Sequence, residues 1–326
     1  MKRRAALAMA CAGVGRWAFA QTVKALPRIG YLIPRSPMPL DKDGFTQGMR
    51  ELGYVEGANI IIERRHAMGQ VDRLPQLAMD LARLPVDVLV VSGPAPLHAA
   101  ISATRQIPIV MLASSADPVG EGLVASLARP GGNLTGLTYA ESPDRFGKQL
   151  ELLKEAVPDI ARVAIWWDSD LVAYRSNWAT PLSDAARRLG VQILAPTPAL
   201  GPEDLDGSFH AMRQQRPDSL FVAINGPSAS FLDRVAERAL RDRLPTVAAQ
   251  RVFTQLGGLL SYGPDIPSIH RRGATYVDRI LKGARAAELP IELPSRFELV
   301  VNQKTARTLS ITLPRVLLLR ADEVIE

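Results

Sequence analysis

Between residues 29 and 112 the chain alternates short apolar runs with stretches whose apolar residues recur at helical spacing, and after residue 139 the same rhythm starts again. This alternation restricts the fold more than any other feature of the sequence. Residues 86–91 are almost wholly apolar, so a strand there must be covered on both faces. Helices that cross over a parallel sheet supply that cover, which makes the pattern α/β. In the first stretch strands are expected at 29–33, 59–63, 86–91 and 108–112, with helices at 41–52, 72–84 and 95–104. Gly53 stops the first helix. Leu74, Leu77, Ala78 and Leu81 share one face of the second, with Asp72 as its N-cap and Pro75 in its first turn. A turn at 130–133 and a short strand at 134–138 complete the unit.

The second stretch reads as a helix at 144–157, with Phe146, Leu150, Leu153 and Val157 inward, followed by a strand at 163–167. Helices at 177–189, 205–215 and 229–241 then alternate with strands at 191–194, 219–224 and 246–248. Two α/β units of similar size therefore meet near Tyr139. The tail holds a strand at 258–261, a helix at 269–281, a strand at 297–301 and a short helix at 304–309. Such short pieces fit better as additions to both units than as a third domain. The chain then passes between the units more than once, and parallel crossings make a hinge.

The N-terminus reads as an export signal. Lys2, Arg3 and Arg4 precede the small apolar run 5–14, and Ala18-Phe19-Ala20 ends it before Gln21. These are a basic segment, a short apolar segment and an A-x-A cleavage site, too short to span a bilayer. Cleavage after Ala20 places the working protein outside the cytoplasm, in the periplasm. Of the 39 Lys+Arg, four lie in residues 1–20, against 33 Asp+Glu in the whole chain. The mature net charge is then +2, not the +6 of the full sequence. Its basic residues are interleaved with acids, as in Arg241-Asp242-Arg243, so no concentrated basic face for nucleic acid is visible. The single cysteine, Cys11, lies inside the signal. Anchoring as a lipoprotein there is disfavoured, since Ala8-Met9-Ala10 lacks the usual leucine. The mature chain must rely on its core rather than on disulfides.

Ligands of parallel sheets lie beyond the C-terminal ends of the strands. In the first unit those ends are 34–41, 92–94 and 114–118; in the second they are 167–170, 195–198 and 225–228. All are rich in Ser, Asn, Asp, Gly and Pro. Small polar groups and backbone N–H groups at helix starts suit a carboxylate. Ser92-Gly93-Pro94 is the best such candidate, though Ser92 could instead cap its own helix. Asp117 could meet an amine or cap the segment after it. Asp168 and Asp170 could meet an amine across the cleft. Trp166 and Trp167 point to opposite faces of their strand, so at most one can be a ligand platform.

No catalytic set emerges. The four histidines, His66, His98, His210 and His270, show no metal-ligand spacing, and no H-E-x-x-H, G-x-S-x-G or phosphate-loop motif is present. His98 and Asp117 are the only bases that could be named. No metal and no cofactor are expected, and the chain is expected not to be an enzyme.

At several places the residues match long phrases. They include Arg28-Ile29-Gly30-Tyr31-Leu32, residues 44–57 with Asn59-Ile60, Leu84-Pro85-Val86-Asp87-Val88, Ile107-Pro108-Ile109-Val110 and Asp117-Pro118-Val119. Further on are residues 129–138, Gly258-Leu259-Leu260-Ser261-Tyr262-Gly263-Pro264, Phe297-Glu298-Leu299-Val300 and Arg320-Ala321-Asp322-Glu323-Val324-Ile325. In these the chain resembles the ABC-transporter substrate-binding proteins of the tryptophan/tyrosine-binding type, over nearly the whole mature sequence.

The resemblance implies a type I periplasmic-binding-protein fold: two parallel-sheet, three-layer α/β domains joined by a three-segment hinge, with the ligand cleft between them. The expected division is a signal peptide at 1–20, an N-terminal domain of 27–138 plus 262–296, and a C-terminal domain of 139–261 plus 297–326. A monomer is expected, handing a small organic solute to a membrane ABC permease. The same cleft could instead serve a ligand sensor or scaffold acting through a membrane receptor, and an enzyme is a distant third. Family members that hold amino acids carry Thr-Pro after the third strand, and Glu with Asn-Ser in a loop of the second domain. Here Ser92-Gly93-Pro94 and Asp168-Ser169-Asp170 stand in their places. Both departures weaken an amino-acid assignment, and the resemblance does not fix the solute; an aromatic amino acid or an aromatic or planar carboxylate is expected. The candidate ligand-binding residues are Ser36, Ser92, Gly93, Ser114, Asp117, Trp167, Asp168, Asp170, Asn225 and Tyr262.

Overall fold

Val88–Ser92 (β3) is buried at every residue, and its side chains divide cleanly between two cores: Val88 and Val90 on one face, Leu89 and Val91 on the other. That division requires helices on both faces of the sheet. The computed structural model describes residues 25–37, 43–140, 144–168, 175–199, 204–223, 231–294 and 296–326, with backbone alone at 144, 168, 175–178, 198 and 199. The expected export signal and Cys11 lie outside the described residues.

The first sheet also contains β1 (Arg28–Ile33), β2 (Ile61–His66), β4 (Ile109–Ser114) and β5 (Leu134–Thr138). All pairs are parallel and the order is β2-β1-β3-β4-β5. One face is covered by α1 (Gly44–Glu51), the other by α2 (Leu74–Ala82) and α3 (Pro94–Ala103). The second sheet is built on β6 (Arg162–Asp168), β7 (Gln192–Ile193), β8 (Thr197–Ala199), β9 (Ser219–Ala223), β10 (Thr246–Ala248) and β11 (Leu260–Pro264), followed by β12 (Phe297–Asn302) and β13 (Glu323–Ile325). Its order is β13-β12-β11-β10-β9-β6-β7, with β8 also on β6; β12 alone runs antiparallel to its neighbour β11. The run β7-β6-β9-β10-β11 repeats the strand order of the first sheet. Its helices are α4 (Asp144–Ala156), α5 (Arg175–Leu189), α6 (Leu205–Gln214) and α7 (Leu232–Arg241). The two expected parallel α/β sheets are therefore present.

The tail adds to both units. After α8 (Arg251–Gln255) and β11, α9 (Ile266–Leu281) returns to the first sheet and lies against α1, where Tyr54 donates to Asp278 at 3.0 Å. The helices α10 (Gln303–Leu309) and α11 (Arg315–Arg320) pack on the second unit, where Ala306 and Leu317 enter the core beneath α4.

Several elements differ from the sequence expectation. A 3-10 turn at Val71–Arg73 precedes α2, so Arg73 rather than Asp72 stands at the cap, without a side-chain bond. Strand β2 starts two residues late, because Val55, Ala58 and Asn59 close a local turn. Residues 195–198 are not simply a loop: Thr197 and Pro198 sit in β8, opposite Trp166 and Trp167. As an edge strand, β8 tolerates the missing Pro198 N–H.

Strand β4 carries an irregularity that matters below. Its register against β5 shifts between Met111 and Ser114, and Ala113 has φ +44. Gly136 of β5 makes room for this, with φ +124 and a position where a Cβ would lie 2.1 Å from the Met111 carbonyl oxygen. Such a bulge redirects the side chains that follow it.

Candidate ligand-binding site

Strand orders of this kind have a switch point where successive connections leave on opposite sides, and ligands bind beyond the strand ends there. In the first sheet it lies between β1 and β3, at 34–37 and Ser92-Gly93. In the second it lies between β6 and β9, at Trp167-Asp168 and after Ala223. Gly93 caps α3 with φ +91. The first turn of α3 is a poorer anion cradle than its sequence suggests. Pro94 and Pro96 have no N–H and Leu97 N–H donates to Gly93, which leaves only Ala95 N–H to face outward.

Ser92 does not cap α3. Its buried hydroxyl lies 3.2 Å from His270 Nε2, on α9. His270 is itself enclosed, and burial, helped by Arg35 and opposed by Asp43, pushes its pKa down to about 4. The imidazole is therefore neutral at physiological pH and holds the Ser92 hydroxyl as a fixed partner. Asp43 and Tyr31 belong to the same polar pocket. Asp43 Oδ2 accepts from Thr46 at 2.6 Å, while Asp43 Oδ1 and the Tyr31 hydroxyl are buried without a hydrogen bond.

The bulge of β4 sets the next group. Ser114 is fully enclosed, and its hydroxyl accepts from Ala116 N–H at 3.1 Å. Ser115, which sequence reasoning missed, is the serine with capacity to spare. Its hydroxyl is close enough to the Tyr139 phenol to lower that group's pKa, yet makes no hydrogen bond of normal geometry. Burial outweighs this and raises the phenol pKa. Tyr139 N–H donates to the Ser114 carbonyl at 2.9 Å, and Thr138 Oγ1 lies 2.7 Å from the Ala116 carbonyl. Beside them Arg145 Nη1 donates to the Tyr139 carbonyl at 2.6 Å. One turn further along α4, Gln149 Nε2 donates to the Tyr262 carbonyl at 2.6 Å. Arg145 and Gln149 thus share one face of the helix.

The remaining candidates scatter. Ser36 is exposed. Asp117 Oδ1 accepts from Val119 and Gly120 N–H, so that oxygen serves its own turn, in keeping with the capping alternative. His98 lies at the surface, 3.2 Å from Glu121, which raises its pKa. Trp166 is fully buried, edge-on to Phe231 at 5.8 Å, whereas Trp167 is half-buried over the opposite core. Of the two, Trp167 is the one a ligand could reach. Asp168 ends β6, and its side chain lies outside the described residues, as do Asp170 and Asn225 entirely. Tyr262 is half-buried in β11, stacked on Phe297 at 5.7 Å. Phe221 and Phe253 are core residues. Among the described residues no three His, Cys, Asp or Glu side chains gather into a metal-binding group, and no helix is long and apolar enough to cross a membrane.

A sequence model for the family described as ABC transporter substrate binding protein matches residues 32–325. The chain belongs to this family. The tyrosine-binding protein of Clostridioides difficile strain R20291 is 24% identical over 281 residues, covering 86% of this chain and 79% of that protein. Among solved structures, a conserved domain protein from Vibrio cholerae is 27% identical with TM-score 0.82, covering 91% of this chain and 99% of that one. An ABC domain in complex with L-Trp from Streptococcus pneumonia is 24% identical with TM-score 0.83, covering 92% and 100%. The resemblance to ABC-transporter substrate-binding proteins therefore holds, and with it a solute-binding function for ABC transport.

Proposed function

We propose that the protein is a periplasmic, monomeric solute receptor that captures an aromatic amino acid or an aromatic or planar carboxylate between its two sheets and hands it to an ABC permease. The observation that carries this reading is the repeated strand order, which gives each unit a polar switch point of its own. A solute held between two such edges is bound by closure rather than by one pocket, and closure excludes water from the contacts.

We infer that the chain passes between the sheets after Tyr139, at Asp265 and after Glu292, and that these three crossings form the hinge. The domain division at 27–138 plus 262–296 and 139–261 plus 297–326 follows, except that Tyr262 to Pro264 pair within the second sheet. Ser92, Gly93 and Trp167 are the described candidates best placed to touch the solute, and Ser115 joins them. The relatives that bind tyrosine or L-Trp support an aromatic solute. A receptor of this kind returns its ligand unchanged, in contrast to an enzyme.

The test is native mass spectrometry of the mature protein, followed by denaturation and identification of whatever is released. Calorimetry with aromatic amino acids, aromatic acids, sugars and nucleosides completes it. A solute bound and recovered unaltered is expected. Chemical turnover of any of these compounds, or no binding by any of them, refutes the reading.

A further inference from the structure

Arg145 is the only buried lysine or arginine among the described residues, at 7% exposure. It is the second residue of α4, and no described carboxylate pairs with it. Its guanidinium lies 5.0 Å from the centre of the Tyr139 ring and 4.4 Å from that of Phe146. One of its five N–H donors is used by the Tyr139 carbonyl. Burial opposes a cation at this place and lowers its pKa, yet a guanidinium stays charged. The positive end of the α4 dipole opposes it too. An arginine that burial and the helix both disfavour is retained for something that compensates its charge.

The position suggests what that is. Tyr139 leaves the C-terminal end of β5, beside Ser115 at the end of the bulged β4, and α4 opens the second unit. Arg145 thus stands where the ligand edge of the first sheet meets the first crossing segment. Its helix neighbour Gln149 reaches β11 through the Tyr262 carbonyl, three residues before the second crossing, and Gln149 Oε1 is buried without a partner.

We propose that Arg145 is the anchor for a carboxylate on the bound solute, with the Ser115 hydroxyl, near the Tyr139 phenol, as a second donor. This deepens the solute-receptor reading and rests on it. The guanidinium fork fits a carboxylate with two parallel hydrogen bonds, and the anion supplies a countercharge that no described residue provides. The Tyr139 and Phe146 rings hold the guanidinium plane in one orientation, which selects how the acid enters.

Paired ligands test this. The mature protein and its Arg145→Met and Arg145→Lys variants are titrated by calorimetry with benzoate and benzamide, L-tryptophan and tryptamine, and a sugar and nucleoside set. Binding of the acids but not of their carboxyl-free partners is expected. Arg145→Met should weaken the acids at least about tenfold, and Arg145→Lys should weaken them less, because it keeps the charge but not the fork. The melting temperature of unliganded Arg145→Met should equal or exceed that of the wild type. Unaltered acid binding in Arg145→Met overturns the assignment. So does an Arg145→Met that fails to fold while Arg145→Lys binds like the wild type, which makes Arg145 a structural clamp. Wild-type binding of neutral solutes alone overturns the assignment and leaves the receptor reading standing, whereas no binding by any compound removes both.

Discussion

Acidification from about pH 7 to about pH 5 should destabilise this protein through His270. Its folded pKa is about 4 against an ordinary 6.5, so below neutrality the unfolded chain takes up a proton that the folded chain refuses. Stability contributed by the neutral imidazole is complete above pH 6.5 and is lost as pH falls toward 4. With 1.36 kcal/mol per pKa unit, the loss is about 2 kcal/mol between about pH 7 and about pH 5, and about 3 kcal/mol over the full window. Arg35 adds to the burial that depresses the pKa and Asp43 opposes it, so the window reports the whole pocket around the ring. The perturbation is His270→Gln, which retains a polar end toward Ser92 but cannot titrate. Urea denaturation of both proteins at the two pH values gives four free energies. Their double difference removes every other titrating group that the two proteins share. Wild type should lose about 2 kcal/mol more than the variant. Parallel pH profiles would refute the buried, neutral state of His270 and with it the fixed partner assigned to Ser92.

Three further outcomes are expected. Ser92→Ala should weaken solute binding by about 1–3 kcal/mol in calorimetry, through one lost buried hydrogen bond; unchanged affinity would restrict Ser92 to its contact with His270. Gly136→Ala should cost about 3 kcal/mol or more in denaturant unfolding, since a Cβ there meets the Met111 carbonyl and the backbone has positive φ; near-wild-type stability would show that the β4 bulge adapts. Trp167→Phe should remove most of the change in tryptophan fluorescence on binding a proven solute, because Trp166 is sealed in the core; an undiminished change would place the reporter elsewhere.

The fold was legible because its central strands, such as β3 and β4, are buried and largely apolar on both faces, as a parallel sheet covered by helices requires. Helix starts were less legible: Asp72 has the chemistry of a cap, but the 3-10 turn at Val71–Arg73 absorbs it. The site was legible as a set of strand ends, since topology alone places them. Which side chain at each end remains available depends on hydrogen bonds that spacing does not encode. Ser114 and Ser115 look alike in sequence, and only the bulge opposite Gly136 decides that one hydroxyl is consumed by Ala116 N–H. His270 was read only as a histidine lacking metal spacing, because its partner Ser92 lies 178 positions away. Arg145 did leave a signal, a cation in the first turn of a helix, where the dipole favours acids.

The pairing of Ser92 with His270 also bears on how the molecule is assembled. Strand β3 and its ligand edge belong to the first half of the chain, yet the group that fixes Ser92 arrives on α9, after strands β6 to β11 of the second unit have been laid down. The same helix seals the sheet: Gly273 lies so close to β4 that a Cβ would be 2.0 Å from the Leu112 side chain, and Ile269, Tyr276 and Val277 fill the core beneath it. A first unit cut off before α9 would expose Val110 and Leu112 and leave the Ser92 hydroxyl without its partner. The core and the strand end that carries Ser92 are therefore completed in that unit by one element, α9.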